Sequence, residues 1–313
     1  MTPATQHQLD PTRENVTDVF SRNHEPALTV DPGDGIRVRS LDASGYLAPQ
    51  RFPGEQRERL LPDARGHCLT GPVAVRGAEP GMMLSVRMLS LRPDDWGWTV
   101  ATAADDDFHR RLGVVNDGPS WLLWDLDVDN GTATNDRGLS RGLAPFLGVT
   151  GVAPASPGEH STVPPRTDCG GNIDCRELTV GSTLYLPVQV PGALLYIGDG
   201  HAAQGDGEVG GTAIECAMST ELIVDLVPDP PVPTIHAVTP TARITFGFAA
   251  DLNAATGDAL AAMLTWLQGL YDLDRPAALA LASTCVDLRI TQVANRTWGV
   301  HAVLSNDVVR RVA

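Results

Sequence analysis

Residues 178–211 read LTVGSTLYLPVQVPGALLYIGDGHAAQGDGEVGG. The first half contains two β-rich runs interrupted by Pro and Gly, which is typical of short strands rather than of a helix. In the second half, from residue 198 onward, several polar side chains are separated almost wholly by Gly and Ala. The stretch therefore predicts a pair of strands over 185–197 that leads into a tightly folded polar loop.

The rest of the chain extends this β pattern. Apolar and polar residues alternate around turn residues in three further stretches, 27–41, 72–90 and 119–134. Helical periodicity is clear in 251–270, where Asp251 is a candidate N-cap, and a second short helix is predicted over 275–284. Strand-like alternation returns in 286–294. We predict a mainly β fold of antiparallel sheets, arranged as a sandwich or barrel, with a smaller α/β portion near the C-terminus.

Composition changes along the chain suggest three segments. Residues 1–15 are of low complexity and are expected to be disordered, while 16–165 are expected to form an N-terminal β lobe. The Pro-rich stretch 154–169 is the candidate boundary. A C-terminal lobe over 166–313 would then carry the polar loop.

Charge and composition exclude several classes of function. The chain of 313 residues has a formal net charge of -15, which disfavours binding to nucleic acid or to anionic lipid. It contains no apolar run long enough to cross a membrane and no signal peptide at its start, so we expect a cytoplasmic protein. Its five cysteines include no CxxC pair, which favours free thiols.

The sequence contains no lysine, so all 23 basic residues are arginine. This excludes every mechanism that requires a lysine amine, including Schiff-base chemistry, Ser-Lys dyads and Cys-Glu-Lys amide cleavage. It also excludes Walker-type phosphate loops.

The polar loop is the main candidate site. Five potential metal ligands or proton-transfer groups lie within ten positions, namely Asp199, His201, Gln204, Asp206 and Glu208. Small spacers allow such side chains to converge, and Asp, His and Glu are ordinary ligands of zinc-like or mixed oxygen and nitrogen sites. The alternative is a Gly-rich turn in which the carboxylates only cap backbone amides.

Two other stretches offer residues to the same site. The sequence Gly170-Gly171-Asn172-Ile173-Asp174 precedes the strands and presents Asn172 and Asp174, although such residues often only stabilise a turn. His67 lies at a turn into a strand and is a further candidate ligand.

Several blocks of the sequence together resemble the acetamidase/formamidase family. They are HCLTGP from His67, GAEPG from Gly77, PFLGV from Pro145, residues 170–188, residues 198–215 and SxxVDLRITQV from Ser283 followed by GVHAVL. The resemblance covers about residues 20 to 310 in the family's order. Met82 departs from it, because the family usually has Asp after Pro-Gly.

The resemblance implies hydrolysis of short linear amides, such as formamide or acetamide, to the acid and ammonia. It also implies a mainly β fold, an associated metal and a homo-oligomer, for which we expect a dimer. The positions that match the family's polar residues are Asp199, His201, Asp206, Glu208, Asn172, Asp174 and His67.

We hypothesise that Asp199, His201, Asp174 and His67 bind a divalent metal, with zinc expected and calcium as the alternative. The catalytic group would be Glu208, acting as general base, with Asp206 and Gln204. Asn172 and Gly171 would bind the amide.

Three alternatives stay open. The substrate is a different or larger amide, or the chain is a noncatalytic protein that binds a metal or an amide. In the third, a Cys or Ser is the nucleophile and the metal is purely structural. Cys175 is the candidate nucleophile, although its neighbours in the sequence include no identifiable activating base.

Overall fold

The computed structural model describes residues 3–102, 104–115 and 118–310. β-strands are the predominant secondary structure, and the longer helices follow late in the chain. The predicted mainly β fold with a C-terminal α/β portion is therefore confirmed. Within the described ranges, no helix is both long enough and apolar enough to cross a membrane.

The strands, in chain order, are β1 (Gln6–Leu9), β2 (Val16–Thr17), β3 (Val19–Phe20), β4 (Leu28–Val30), β5 (Gly35–Ser40), β6 (Leu69–Val75), β7 (Met83–Pro93), β8 (Trp96–Ala101), β9 (Ser120–Asp127), β10 (Thr132–Asn135), β11 (Ser140–Gly142), β12 (Phe146–Val152), β13 (His160–Ser161), β14 (Gly170–Asn172), β15 (Thr183–Pro187), β16 (Leu195–His201), β17 (Glu215–Cys216), β18 (Met218–Val227), β19 (His236–Val238), β20 (Ala242–Ala249), β21 (Val286–Gln292) and β22 (Trp298–Ser305). The helices are α1 (Asp107–Leu112), α2 (Leu252–Tyr271) and α3 (Arg275–Cys285).

Two large sheets organise these strands. The first sheet has nine strands in the order β1-β5-β18-β7-β15-β19-β20-β22-β21. The second has eleven, of which eight follow the order β11-β10-β9-β8-β17-β16-β12-β14, while β6 pairs with β16, and β2 and β4 pair with β6. β3 and β13 form a separate pair.

One continuous apolar core joins the two sheets. It contains Ile36 and Val86 from the first sheet and Leu147 and Ile197 from the second, all buried. Because strand residues alternate between faces, each sheet contributes one apolar face to this interior. The core therefore fixes the second sheet, which carries most of the candidate site residues, against a rigid partner.

Helices α2 and α3 pack at one end of the first sheet. As predicted, Asp251 caps α2, and its side chain accepts hydrogen bonds from the backbone N–H groups of Asn253 and Ala254 at 3.0 and 3.1 Å. Met263 and Leu267 on the apolar face of α2 are fully buried in a second core cluster that includes Ala302 of β22. The predicted second helix corresponds to α3.

The strand pairing differs from the prediction in one respect. β15 and β16, which were expected to pair with each other, belong to different sheets. β15 pairs with β7 and β19, whereas β16 pairs with β12, β17 and β6. The segment between them crosses from one sheet to the other. β16 continues through His201, so residues 198–201, which were expected in the loop, are strand residues.

The N-terminal segment also differs from the expectation. Disorder was expected over residues 1–15, but Gln6–Leu9 form β1, which pairs in parallel with Gly35–Val38 of β5. Both large sheets contain strands from either side of the boundary expected near residue 165. The stretches 16–165 and 166–313 are thus interleaved in the sheets.

Gly247 of β20 provides a test of how α2 packs on the first sheet. A Cβ at this position would collide with the carbonyl oxygen of Ala255 and lie 2.7 Å from the backbone nitrogen of Ala259. Gly247→Ala should therefore lower the free energy of unfolding by about 1–3 kcal/mol, measured by urea denaturation.

Gly257 is the matched control, because it lies on the exposed side of α2 with no atom within 4 Å of an added Cβ. Gly257→Ala should stabilise the protein by about 0.5–1 kcal/mol. Equal effects of the two substitutions would contradict the close packing of α2 on β20.

Candidate active site

Five buried polar side chains converge at one edge of the second sheet. Asp199 and His201 lie in β16, Glu215 begins β17, Asp174 follows β14, and Glu208 lies in the loop between β16 and β17. Their exposures range from 1% to 7%. The register of the sheet explains the convergence, since His201 pairs directly with Glu215, and β12 lies between β16 and β14.

His201 is the centre of this group. Its Nε2 atom lies 3.4 Å from Oδ2 of Asp199, 3.4 Å from Oε1 of Glu215 and 4.0 Å from Oε1 of Glu208. Potential ligand atoms of Asp199, His201 and Glu215 all lie within 4.8 Å of one another, as do those of Asp174, His201 and Glu208. The two sets share His201 and form one continuous cluster, here called the acidic cluster.

Several polar atoms of the acidic cluster have no hydrogen-bond partner among the described residues. They are both carboxylate oxygens of Asp174, Oδ1 of Asp199, Nε2 of His201 and Oε2 of Glu215. A buried polar atom without a partner costs about 1–3 kcal/mol. The four carboxylates of the acidic cluster belong to Asp174, Asp199, Glu208 and Glu215. No arginine of the described ranges forms a salt bridge with them, so their negative charge lacks a basic partner other than histidine. This arrangement fits a bound cation.

The electrostatics support the same interpretation. Burial, together with the charges of Asp199 and Glu215, raises the pKa of Asp174 well above its ordinary value. Burial and the charge of Asp174 likewise raise the pKa of Glu208. For Asp199 burial acts in the same direction, but the nearby His67 and His201 outweigh it and lower the pKa. A cation that entered the acidic cluster would replace bound protons as the balancing charge.

The local backbone is unusual at three of these residues. Asp174, Asp199 and Glu208 have φ angles of 53°, 57° and 43°, in the left-handed region that L-residues rarely adopt. Strained positions of this kind cluster at functional sites, and their cost of about 1–3 kcal/mol each must be met by the surrounding structure. The strain supports a functional role for the acidic cluster.

Gly148 of β12 provides the space for the acidic cluster. A Cβ at this position would meet Oδ2 of Asp199, Cε1 of His201 at 2.7 Å and Oδ1 of Asp174 at 2.8 Å. Only glycine therefore leaves these three side chains room to approach one another.

Two of the predicted catalytic residues occupy other positions. Gln204 lies behind His201, with its Oε1 3.0 Å from Nδ1 of His201 and its Nε2 donating to the backbone oxygen of Asp174 at 2.8 Å. This contact orients the imidazole so that Nε2 faces the cluster. Asp206 is exposed and lies 3.4 Å from Nε of Arg176. The expectation that Asp206 joins the buried group is not met, because Gly207, with a φ of 96°, turns the chain between Asp206 and Glu208.

A small cavity of about 70 Å³ opens onto the acidic cluster. Among the predicted site residues, its lining includes Asp199, Glu208, His67 and Asn172. His67 Nε2 lies 3.9 Å from Oδ2 of Asp199. Asn172 donates from Nδ2 to the backbone oxygen of Val163 at 2.8 Å, while its buried Oδ1 has no partner in the described ranges. Gly171 precedes Asn172 in β14 and is not among the described residues that line the cavity.

Sequence reasoning missed three residues of this region. Glu215 is a single acid inside the apolar run AIECAM, and a lone charge in a buried strand is the signal that identifies it. Asn295, in the turn between β21 and β22, lines the cavity although nothing in its sequence context marks it. Gly148 is the third, and no sequence pattern shows that it faces carboxylates.

Cys175 lies next to Asp174 but outside the cavity lining. Contrary to the sequence-based reasoning, a base is close to it, since its Sγ lies 3.3 Å from Oε2 of Glu177. Burial raises the pKa of the Cys175 thiol well above its ordinary value. A buried, protonated thiol away from the cavity does not fit a catalytic nucleophile.

Comparison with known proteins identifies the family of this chain. The sequence model of the acetamidase/formamidase family matches residues 5–161 and 156–296. The chain belongs to this family. Its acidic cluster includes residues from the blocks in which the family resemblance was first recognised.

Individual relatives extend the comparison. The chain is 30% identical over 251 residues to a formamidase of Methylophilus methylotrophus, and this alignment covers 64% of this chain and 61% of the relative. It is also 30% identical over 260 residues to an acetamidase of Mycolicibacterium smegmatis, and this second alignment covers 64% of this chain and 63% of the relative. The matches thus span less than two thirds of these two relatives. The fold resembles that of an acetamidase of Bacillus halodurans, with a TM-score of 0.85, 28% identity and coverage of 95% of this chain and 97% of that chain.

Gly148→Ala tests whether the acidic cluster binds a metal. The added methyl group would enter the space between Asp199, His201 and Asp174, so zinc affinity should fall by about 10-fold to 100-fold in competition with a chromophoric chelator. Gly142→Ala in β11 is the control, because its added Cβ would meet only the backbone oxygen of Gly131 at 4.0 Å. If Gly148→Ala kept the wild-type affinity at every zinc site, the acidic cluster would not be a metal site.

Proposed function

We propose that this protein is a metal-dependent amidohydrolase that converts a small linear carboxamide to the carboxylate and ammonia. The observation that carries the proposal is the acidic cluster, whose unpaired oxygens and imidazole nitrogen border the small cavity. Family membership supports the same reaction class.

Asp174, Asp199, His201 and Glu215 are the proposed metal ligands, with His67 at the edge of the group. Their oxygen and imidazole donors suit zinc, with calcium as the alternative. When bound, such a cation would polarise the amide carbonyl and lower the pKa of an adjacent water, from 15.7 to about 7 for zinc. Gln204 contributes by fixing the imidazole ring of His201 from behind.

Glu208 is the proposed general base and acid. It is buried, lines the cavity and lies within 4.0 Å of His201. Burial and the charge of Asp174 raise the pKa of Glu208 above its ordinary value, which is the direction in which enzymes tune a carboxyl group for general acid and base catalysis. Glu208 would take a proton from the attacking water and return it to the amide nitrogen as the C–N bond breaks.

Asn172 is the proposed contact to the amide group. Its unpaired Oδ1 is an acceptor at the cavity wall, which suits the N–H₂ of a primary carboxamide. Gly171 would act through the backbone of β14, which places Asn172. The cavity of about 70 Å³ suits a molecule of a few heavy atoms, since drug-sized ligands occupy about 300–1,000 Å³.

Ammonia release tests the function directly. The purified protein should release ammonia from formamide or acetamide, lose this activity on chelation and recover it when zinc or calcium is restored. Activity confined to larger or cyclic amides would favour the alternative substrate class. Metal binding without ammonia release from any amide would favour a noncatalytic binding protein and refute the proposal.

Glu208→Gln should retain metal but lose about 100-fold to 10,000-fold in kcat, because proton transfer is removed while the shape of the side chain is kept. The measurements are ammonia release and metal content of the same preparation. Asp206→Asn is the matched control in the same loop, and its activity should stay near that of the wild type because Asp206 is exposed and faces Arg176. If Asp206→Asn were the impaired variant instead, the assigned roles would be wrong.

We further propose that the protein acts in the cytoplasm as a dimer, which rests on the family resemblance. Light scattering of the purified protein measures the subunit number.

A further inference from the structure

A second group of potential ligands lies outside the cavity. It consists of Cys175, Glu177 and His301, whose ligand atoms all lie within 4.8 Å of one another. Sγ of Cys175 lies 3.3 Å from Oε2 of Glu177, and Nε2 of His301 lies 3.4 Å from the same oxygen. Cys175 and His301 are both 0% exposed.

The imidazole of His301 is oriented towards this group. Its Nδ1 lies 2.8 Å from Oγ1 of Thr291, whereas its buried Nε2 has no hydrogen-bond partner in the described part of the chain. The 3.4 Å approach of Nε2 to Glu177 thus lacks the alignment of a hydrogen bond. A donor hydrogen on Nδ1 leaves a lone pair on Nε2, which is the usual arrangement of a metal-binding histidine.

Glu177 is held in a comparable way. Its Oε1 accepts a hydrogen bond from NH1 of Arg289 at 2.6 Å, which leaves Oε2 directed at Cys175 and His301. Both residues are therefore held from the side away from the group. Thr291 supports His301, and Arg289 supports Glu177.

The distances within the group match a tetrahedral zinc site. Zinc bonds of about 2.3 Å to sulfur and about 2.0–2.2 Å to nitrogen and oxygen place neighbouring donors roughly 3.3–3.6 Å apart. The observed separations of 3.3 and 3.4 Å agree with these values. A thiolate, an imidazole and a carboxylate together select zinc over calcium or magnesium, which prefer oxygen donors only.

We propose that Cys175, Glu177 and His301 form a second zinc site, separate from the acidic cluster. Binding replaces the proton of the Cys175 thiol with the metal ion and releases that proton to solvent. A solvent molecule completes the fourth position. The site connects the segment after β14, which carries Asp174, to β22, and so holds that segment in place.

Cobalt(II) is a suitable probe, because a thiolate ligand gives it a near-ultraviolet charge-transfer absorption that oxygen and nitrogen ligands do not give. The acidic cluster contains no thiol among its ligands, so this band reports only on a cysteine site. The wild-type protein with cobalt should show the band, and Cys175→Ser should lose it. Cys285 is the control, because it is the most accessible of the five thiols and lies outside the proposed site. Cys285→Ser should keep the band.

A further variant separates metal binding from folding. Thr291→Val removes the support of His301 while retaining all three ligands, so zinc affinity at this site should fall about 10-fold to 100-fold with the cobalt band kept at saturation. Absence of the band in folded wild-type protein, or its persistence in Cys175→Ser, would overturn the proposal. The readout is independent of amide hydrolysis, so its failure is distinguishable from failure of the proposed function.

Discussion

The burial of negative charge around His201 is the constraint on which the site depends. Taking a carboxylate out of water is costly unless a partner balances it, and here four carboxylates share one buried imidazole, with His67 nearby. Burial and the repulsion between these carboxylates raise the pKa values of Asp174, Glu208 and Glu215. The second sheet holds these groups together despite their repulsion because it packs on the first sheet through the shared apolar core.

The sequence predicted the β architecture and the helices because these follow from local periodicity and capping. It also identified Asp199, His201, Glu208 and Asp174, since small spacers around several polar residues imply convergence. It did not predict that β15 and β16 lie in different sheets, because alternation marks a strand without specifying its partner. The lone charge in an apolar run marks Glu215 as unusual, but only the register between β16 and β17 places it opposite His201.

Asp206 and Glu208 show a different limit of sequence reasoning. The two acids flank Gly207, yet Asp206 is exposed and Glu208 is buried. The distinction arises from backbone conformation, with Gly207 and Glu208 both at positive φ. Composition indicates that such a loop can turn sharply, but tertiary contacts decide which side chain turns inward.

The loop that carries Glu208 is attached to the C-terminal part of the fold through its backbone. The N–H of Gly207 donates to the carbonyl of Thr291 at 3.0 Å, and the N–H of Val293 donates to the carbonyl of Gly207 at 2.8 Å. A split protein divided between α3 and β21 would keep Asp199, His201 and Glu215 on one fragment. That fragment would lack the backbone partners that hold the loop of Glu208, so fragment complementation would restore the geometry of this residue only after β21 had docked.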